Sequence, residues 1–300
     1  MAPARFGEVV TAMVTPFDAD GALDVKAARA LAAHLVDHGS EGLVVSGTTG
    51  EAPALTHVEK LALFENIVEE VGDRASVVAG TGTYDTAESI SLTRAAADLG
   101  VDACLIVTPY YSRPPQNALR AHFEAVADAS SVPLVLYDIP GRTGRRIERA
   151  TMVSLARHER IVAVKDAVGD PSETARLRAG LDEEGLVGFE IYSGDDVLVL
   201  PQVAAGAVGV VSVCSHLVGE RLNAMFEAWN RGDAVEARRI YVDLVPLFAT
   251  IMTVTTSPIP VKAALGMLGI EVGNPRLPLV GPTRDEARSI REALGRSGIL

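Results

Sequence analysis

Hydrophobic residues recur along the chain in short, continuous runs that are rich in β-branched side chains. Eight such runs occupy residues 9–17, 42–47, 76–82, 103–109, 133–139, 161–167, 189–195 and 207–213. Continuous apolar runs of this length are typical of strands that are buried on both faces, as in a parallel sheet. The pattern therefore predicts eight buried, parallel strands.

The segments between these runs have the character of helices. Residues 25–39, 57–72 and 86–100 each end in a glycine, at Gly39, Gly72 and Gly100. Glycine is common just after a helix because it adopts positive φ at low cost. The third segment opens on Thr86, with Glu88 close behind it. Strands that alternate with helices in this way predict an α/β fold, a (β/α)8 TIM barrel. An open, doubly wound sheet is the alternative, because counting runs does not establish closure.

The strand pattern ends near residue 230, and the rest of the chain is helical in character. Residues 234–253, 258–269 and 284–298 predict a C-terminal helical extension. We therefore expect a catalytic barrel over residues 1–230 and a helical subdomain over residues 231–300.

Composition narrows the class of protein. The 300-residue chain is 48% hydrophobic and carries a formal net charge of −12. Nucleic-acid binding depends on basic surfaces that neutralise phosphates, so this charge argues against it. The sequence shows neither a signal peptide nor a membrane span, and we expect a cytoplasmic protein with no membrane partner. Cys104 and Cys214 both lie in apolar runs, which favours buried thiols, with a disulfide as the alternative that their number leaves open.

Polar residues cluster where the predicted strands end. In a TIM barrel the carboxyl ends of the strands carry the chemistry. Polar groups lie at or just after the ends of five runs: Gly47–Gly50 at the second, Thr108–Tyr111 at the fourth, Tyr137–Asp138 at the fifth, Lys165–Asp166 in the sixth and Ser193–Asp196 at the seventh. We expect them to converge at one rim of the barrel.

Lys165 is the most informative single residue, because it lies in an otherwise apolar run, "IVAVKDAVG". A lysine inside a barrel is either paired with an acid or has its pKa lowered by desolvation. A lowered pKa supplies the neutral amine that attacks carbonyl groups to form a Schiff base. The alternatives are that Lys165 faces outward or forms a structural ion pair with Asp166 or another acid.

Other polar residues are candidates for proton transfer and for binding an anionic substrate. Tyr137 and Tyr111 offer phenols that could move a proton, although tyrosine is also common at the edge of a core. The hydroxyls and amides of "GTTG" at residues 47–50 suit a carboxylate, but the segment could be a plain turn. Arg142 has a fork that matches a second carboxylate, with a surface salt bridge as its alternative.

Several common motifs are absent from the sequence. It contains no phosphate-binding P-loop and no HExxH metal motif, and "GTGTYD" at residues 80–85 lacks the third glycine of a dinucleotide fingerprint. The segment "VVSGTTG" differs from the GxSxG nucleophile elbow. Together these features predict carbonyl chemistry by a lysine, without a cofactor or a metal.

Six segments together resemble the dihydrodipicolinate synthase / N-acetylneuraminate lyase family. In chain order they are "GTTGE" (47–51), "VTPYYSRPPQ" (107–116), "LYDIPGRTG" (136–144), "VKDA" (164–167), "YSGDD" (192–196) and "PIPVKAALGMLG" (258–269). The resemblance implies a TIM-barrel class I lyase that condenses pyruvate with L-aspartate-4-semialdehyde. It further implies that Lys165 forms the Schiff base and Tyr137 transfers protons. Thr48 and Tyr111 would complete the relay, with Tyr111 reaching a partner subunit's site.

The resemblance also implies the binding residues and the assembly. Thr49 would hold the pyruvate carboxylate, and Arg142 would bind the carboxylate of the semialdehyde. Gly194 and Val211 match positions near the pyruvate pocket, Val211 through its backbone carbonyl. The family implies a homo-oligomer, either a tetramer built as a dimer of dimers or a dimer.

One departure from the family pattern concerns feedback by lysine. Members that lysine inhibits often have Asn and His where this chain has Tyr84 and Lys60, whereas His57 and Glu88 are retained. A cation repels the ammonium group of a bound lysine. We therefore expect weak or absent inhibition by lysine.

Two further interpretations stay open at the level of the sequence. The chain could be another Schiff-base lyase of the same family that acts on a sugar ketoacid or an N-acetylneuraminate-type substrate. It could instead be a non-catalytic paralogue that binds a ketoacid. Arg142 and the Tyr110–Tyr111 pair favour the synthase, and the presence of Lys165 and Tyr137 gives no support for lost catalysis.

Overall fold

The strands lie at the eight predicted runs. The computed structural model describes residues 3–300, and its strands are β1 Val9–Ala12, β2 Gly42–Val45, β3 Ser76–Gly80, β4 Ala103–Val107, β5 Leu134–Asp138, β6 Ile161–Asp166, β7 Glu190–Ser193 and β8 Gly209–Ser212. They form a closed barrel in the order β1 to β8. The (β/α)8 prediction is therefore confirmed, and the open-sheet alternative is wrong.

Helices follow the strands and form most of the C-terminal part of the chain. They are α1 Val25–Asp37, α2 His57–Val71, α3 Thr86–Asp98, α4 Gln116–Ala129, α5 Pro140–Thr143, α6 Arg149–Leu155, α7 Pro171–Glu183, α8 Val199–Ala204, α9 Ser215–Asn230, α10 Ala234–Thr253, α11 Ile259–Met267 and α12 Arg284–Arg296. The three predicted C-terminal helices are thus present as α10, α11 and α12.

The ends of the first three helices show which local signals act. Gly39 and Gly100 have the expected positive φ, at 99° and 84°. Gly72 does not: its φ is −62°, and its N–H donates to Val68 O at 2.9 Å, so it continues the helical turn. α3 begins at Thr86, but Asp85 caps it, because the Asp85 carboxylate accepts a hydrogen bond from Glu88 N–H at 2.7 Å.

Contacts divide the chain into two units, each with its own buried side chains. The first comprises the residues up to Ser76 together with Ser212–Leu300, and the second is Val77–Val211. Phe64, Phe226 and Phe248 are fully buried within the first unit. Phe123 and Tyr192 are fully buried within the second. The division into a catalytic barrel over residues 1–230 and a helical subdomain over residues 231–300 stays a prediction.

The register of β5 against β6 positions the candidate lysine. Tyr137 pairs with Lys165, and Asp138 pairs with Asp166 one residue further along. Successive side chains of a strand point to opposite faces. Tyr137 and Lys165 are therefore neighbours on one face, and the two aspartates are neighbours on the other.

Two further properties concern cysteines and membrane spans. Cys104 and Cys214 are buried free thiols, as predicted. Burial raises the pKa of the Cys104 thiol to about 12, so this thiol is protonated at neutral pH. Over residues 3–300, none of the helices has both the length and the apolar character that crossing a membrane requires.

Candidate active site

Lys165 lies near the carboxyl end of β6 and is almost completely buried. The residue is 5% exposed, and its Nζ lies 4.4 Å from the centroid of the Tyr137 ring. The Lys165 side chain is therefore enclosed by protein and does not lie in solvent. An aromatic ring attracts a cation through its quadrupole, so this contact orients the amine as well as covering it.

The surroundings of Lys165 lower the pKa of its ammonium group to about 8. The largest cause is the loss of hydration on burial, and the positive charge of Arg142 acts in the same direction. The carboxylate of Asp196 opposes them by stabilising the cation. A pKa near 8 leaves roughly one amine in ten neutral at pH 7, compared with fewer than one in a thousand for an ordinary lysine. The site thus supplies a nucleophilic amine.

Asp166 follows Lys165 in the sequence, but its carboxylate is bound to other groups. Oδ2 accepts a hydrogen bond from Thr174 Oγ1 at 2.7 Å, and Oδ1 accepts one from Val168 N–H at 3.1 Å. Gln202 Nε2 donates to Thr174 Oγ1 at 3.0 Å and extends this network. Asp166 therefore anchors the end of β6 to α7 rather than serving as the counterion expected in the ion-pair alternative.

Asp138 is a buried acid on the same face as Asp166. Burial is the main cause that raises the pKa of its carboxyl group to about 7, and the nearby charge of Asp166 adds to the rise. The N–H of Ile147 donates to Oδ1 at 3.2 Å and partly offsets it, as does Arg146. A carboxyl group that is half protonated near neutral pH is a feature that the sequence motif did not reveal.

Arg142 lies on α5, the single turn of helix that follows β5. The turn begins at Pro140, whose fixed φ suits a helix start, and ends at Gly144 with φ of 69°. Thr143 Oγ1 donates to Ile139 O at 3.1 Å and holds the turn to the strand. Arg142 itself is exposed, so its guanidinium is free to meet an anion arriving from solvent.

Gly194 and Val211 lie at the ends of β7 and β8. Gly194 N–H donates to Asp166 O at 2.8 Å, and a Cβ placed on Gly194 would be 2.8 Å from Ala167 Cβ. Only glycine fits this approach to the end of β6. Val211 belongs to β8 and is buried.

The "GTTG" segment follows β2 in the first unit and has a constrained backbone. Thr48 is half-buried and Thr49 is buried. The flanking residues Ser46 and Glu51 have positive φ, at 57° and 56°, which is uncommon for residues with a Cβ. The segment is therefore a fixed turn, as a substrate cradle requires. The expectation that Thr48 and Thr49 act with Lys165 stays a prediction.

Within one chain, the side chain of Tyr111 lies in solvent and is not enclosed as Lys165 is. Its side chain is 96% exposed, and its φ is 70°. The neighbouring Tyr110 stacks edge-on against Tyr84, with ring centroids 5.4 Å apart. A tyrosine held outward on a strained backbone fits the expectation that Tyr111 acts elsewhere, and that role also stays a prediction.

Two buried acidic residues received no role from the sequence. Asp196 was expected at the rim but had no assigned role, and Glu51 appeared only as the last letter of "GTTGE". Glu51 is buried and forms an ion pair with Lys262, 2.7 Å away. The only sequence signal for this pair is a lysine in an otherwise apolar helix, "PIPVKAALGMLG".

Over residues 3–300, no group of three or more His, Cys, Asp or Glu side chains is arranged to hold a metal ion.

The fold is a closed (β/α)8 barrel. Near the end of its sixth strand it carries a buried lysine of lowered pKa, and a tyrosine of the fifth strand lies beside that lysine. These features define a class of barrel enzymes in which an amine reacts with carbonyl substrates. The model of the dihydrodipicolinate synthetase family matches residues 5–296, and the chain belongs to that family.

The similar proteins cover the whole chain. It is 52% identical over 297 residues to the 4-hydroxy-tetrahydrodipicolinate synthase of Moorella thermoacetica, covering 99% of this chain and 100% of that protein. The crystal structure of the Cyanidioschyzon merolae synthase with lysine bound is 42% identical, with a TM-score of 0.95 and coverage of 98% and 99%. The chloride-inhibited Acinetobacter baumannii synthase complexed with pyruvate is 34% identical, with a TM-score of 0.94 and coverage of 98% and 100%.

Proposed function

We propose that the chain is a 4-hydroxy-tetrahydrodipicolinate synthase. It condenses pyruvate with L-aspartate-4-semialdehyde, a step of diaminopimelate and lysine biosynthesis. The observation that carries the proposal is the buried Lys165, whose pKa is lowered to about 8, beside Tyr137 in a chain of this family. Full-length identity of 52% to a synthase supports the same reaction.

The chemistry follows from the neutral amine of Lys165. Nζ attacks the pyruvate carbonyl carbon, and loss of water leaves a protonated imine. This iminium withdraws electrons, so the methyl carbon loses a proton and an enamine forms. The enamine carbon attacks the aldehyde carbon of the second substrate, and the aldehyde oxygen takes up a proton. Tyr137, whose ring lies beside the lysine, transfers protons in these steps.

The remaining residues take the roles that the family resemblance implies. Thr48 and Tyr111 complete the proton relay with Tyr137. Thr49 holds the pyruvate carboxylate, and the exposed guanidinium of Arg142 binds the carboxylate of the semialdehyde in a bidentate manner. Gly194 and Val211 border the pyruvate pocket.

The same proposal includes the assembly and the compartment. The protein is a cytoplasmic homo-oligomer, either a dimer of tight dimers or a dimer, in which Tyr111 reaches the partner's site. Its 96% exposure in the single chain supports a contact made by another subunit. No cofactor takes part in the reaction.

We further propose that lysine inhibits this enzyme weakly or not at all. Lys60 and Tyr84 replace the residues that often accompany lysine inhibition, and Lys60 carries the same charge as the inhibitor's ammonium groups. Initial rates measured over a range of lysine concentrations test this. Complete inhibition at low lysine would contradict it, and Lys60→His with Tyr84→Asn is the variant expected to gain sensitivity.

Borohydride trapping tests the function directly. Borohydride reduces the imine between pyruvate and the enzyme to a stable amine, and peptide mapping then locates the adduct. We expect the adduct on Lys165, none in Lys165→Ala, and full labelling of a Lys26→Ala control, because Lys26 is exposed on α1. No adduct in the folded wild type would overturn the proposal.

A second assay identifies the second substrate. Pyruvate with L-aspartate-4-semialdehyde is compared with cleavage of N-acetylneuraminate or a sugar ketoacid. We expect turnover only in the first assay, because the proposal assigns Arg142 to the carboxylate of the semialdehyde. Turnover only in the second would assign the chain to the other lyase branch of the family, and an adduct without turnover in either would indicate a ketoacid-binding paralogue.

A further inference from the structure

Glu51 ends the "GTTGE" turn in a conformation that needs support. Its φ is 56°, and its N–H donates to Thr48 O at 3.0 Å, closing the turn that contains both threonines. The left-handed region is unfavourable for a residue with a Cβ, and such conformations persist where the surrounding structure enforces them. Glu51 is also buried, so its carboxylate needs partners within the protein.

Those partners come from more than two hundred residues further along the chain. Lys262 on α11 places Nζ 2.7 Å from Glu51 Oε1, and both side chains are 2% exposed. The backbone N–H of Arg276 donates to Glu51 Oε2 at 2.8 Å. The carboxylate is thus held from two sides, by a cation and by a peptide group.

The side chain of Arg276 connects these contacts to the residues that follow the turn. Its guanidinium donates to both oxygens of Glu59, at 3.0 and 2.5 Å, and to Ala54 O at 2.9 Å. Lys262 Nζ and Arg276 Cζ lie 4.4 and 4.2 Å from the centroid of the Phe17 ring. We call Glu51, Glu59, Lys262 and Arg276 the Glu51 cluster. It fixes the segment from the turn to the start of α2.

We infer that the Glu51 cluster positions Thr48 and Thr49, so that Lys262 and Arg276 are positioning residues for pyruvate. The inference rests on the proposed function, in which these threonines hold and protonate the substrate. The cluster acts on the turn through Glu51, the residue that closes it. Loss of the cluster should therefore displace the hydroxyls of Thr48 and Thr49 and leave the reactivity of the Lys165 amine unchanged.

The main test uses the double variant Glu51→Gln/Lys262→Met. This variant removes both charges of the buried pair and leaves neither one uncompensated. We expect kcat/KM for pyruvate to fall by about 10- to 100-fold, since a displacement of about 1 Å in a substrate-holding group has effects of this size. The KM for the semialdehyde should change by less than about twofold, because Arg142 does not belong to the cluster. The pH midpoint of borohydride trapping should stay at its wild-type value.

A matched control and a milder variant complete the test. Lys26→Met removes an exposed lysine and should keep kcat/KM within about twofold of the wild type. Arg276→Lys keeps the backbone N–H on Glu51 but loses the fork on Glu59, and should raise the KM for pyruvate several-fold while the protein stays folded. Melting curves establish folding at the assay temperature. If the double variant is unfolded at that temperature, the KM of Arg276→Lys for pyruvate tests the inference instead.

The outcomes separate this inference from the proposed function. Wild type without turnover on pyruvate and the semialdehyde overturns the function. An active wild type together with a folded variant whose pyruvate kinetics are unchanged overturns the inference alone. A fall in melting temperature with unchanged kcat/KM also overturns it, because the cluster would then contribute only stability.

Discussion

At the residue scale, the reactivity of Lys165 depends on the balance of three influences on its ammonium group. Burial and Arg142 lower its pKa, and Asp196 raises it, with about 8 as the result. The neutral fraction falls about tenfold for each pH unit below the pKa. We therefore expect the rate of pyruvate adduct formation to rise with pH up to about 8 and to level off above it.

Two substitutions should move that midpoint in opposite directions. Arg142→Gln removes a cation that disfavours the ammonium form, so the pKa of Lys165 should rise and the midpoint should shift to higher pH. Asp196→Asn removes a carboxylate that favours the ammonium form, so the midpoint should shift to lower pH. Trapping rates at limiting pyruvate, measured between pH 6 and 10, check both. Shifts in the same direction would contradict this electrostatic account.

Asp138 should make stability depend on pH in the opposite sense from an ordinary carboxylate. Its pKa is about 7 in the folded protein, against a value of 3.8 for a free carboxyl. Between these values the folded protein holds a proton that the unfolded chain has released. The free energy of unfolding therefore falls as pH rises through this window, and the penalty is complete above about 7.

Asp138→Asn removes that penalty and retains a side-chain oxygen for Ile147 N–H. We expect the variant to be more stable than wild type at pH 8, by on the order of 2 kcal/mol, with the difference disappearing below about pH 4. Denaturant unfolding at pH 4 and pH 8 measures this, with Asp73→Asn, an exposed position, as the control. Equal gains at both pH values would show that the charge of Asp138 is not the cause.

At the scale of elements, close packing between neighbouring strands sets which residues are allowed. Gly82 follows β3, and its N–H donates to Leu105 O at 3.2 Å. A Cβ on Gly82 would contact Val107 N and would lie 2.7 Å from Ile106 Cα, both backbone atoms of β4. Backbone in a barrel strand has little freedom to move away, so a single methyl group forces the two elements apart.

Gly82→Ala should therefore lower the free energy of unfolding by about 2–4 kcal/mol. The matched control is Gly188→Ala in the same unit, where no atom lies within 4 Å of the added Cβ. That variant should change stability by less than about 1 kcal/mol. Denaturant unfolding of both proteins compares them, and equal effects would mean that the close approach to β4 is not what requires glycine.

At the scale of the whole molecule, the proposal that Tyr111 acts in a partner's site predicts complementation between inactive subunits. Lys165→Ala and Tyr111→Phe are each expected to be nearly inactive. In a mixed dimer, the subunit that keeps Lys165 receives an intact Tyr111 from its partner, so one complete site forms. Random mixing should restore roughly a quarter of the wild-type activity.

The complementation assay has a clear negative outcome. Subunits are mixed after mild dissociation, and activity is measured against each variant alone. If Tyr111 served its own chain, no mixture would contain a complete site and activity would stay at the level of the variants. Size-exclusion chromatography with light scattering, run on the same samples, measures the oligomeric state.

The barrel could be predicted from the sequence, because each strand has a recognisable local composition. Runs such as residues 133–139 and 161–167 are apolar over their whole length, and buried strands require this pattern at every step. The sequence likewise determined that Lys165 is exceptional, since a lysine in an apolar run needs a compensating environment. The family resemblance then supplied the expected roles of Tyr137 and Arg142.

The groups that act on those residues could be identified only in the folded protein. Burial lowers the pKa of the Lys165 amine most, and Asp196 and Arg142 adjust it in opposite directions. The "GTTGE" turn is held by Lys262 and Arg276. These partners are separated from their targets by between 23 and 225 positions in the chain. Electrostatic energy and hydrogen bonding depend on distance in space, which chain separation does not encode. The sequence therefore specified the elements and the reactive side chain, and folding specified their chemistry.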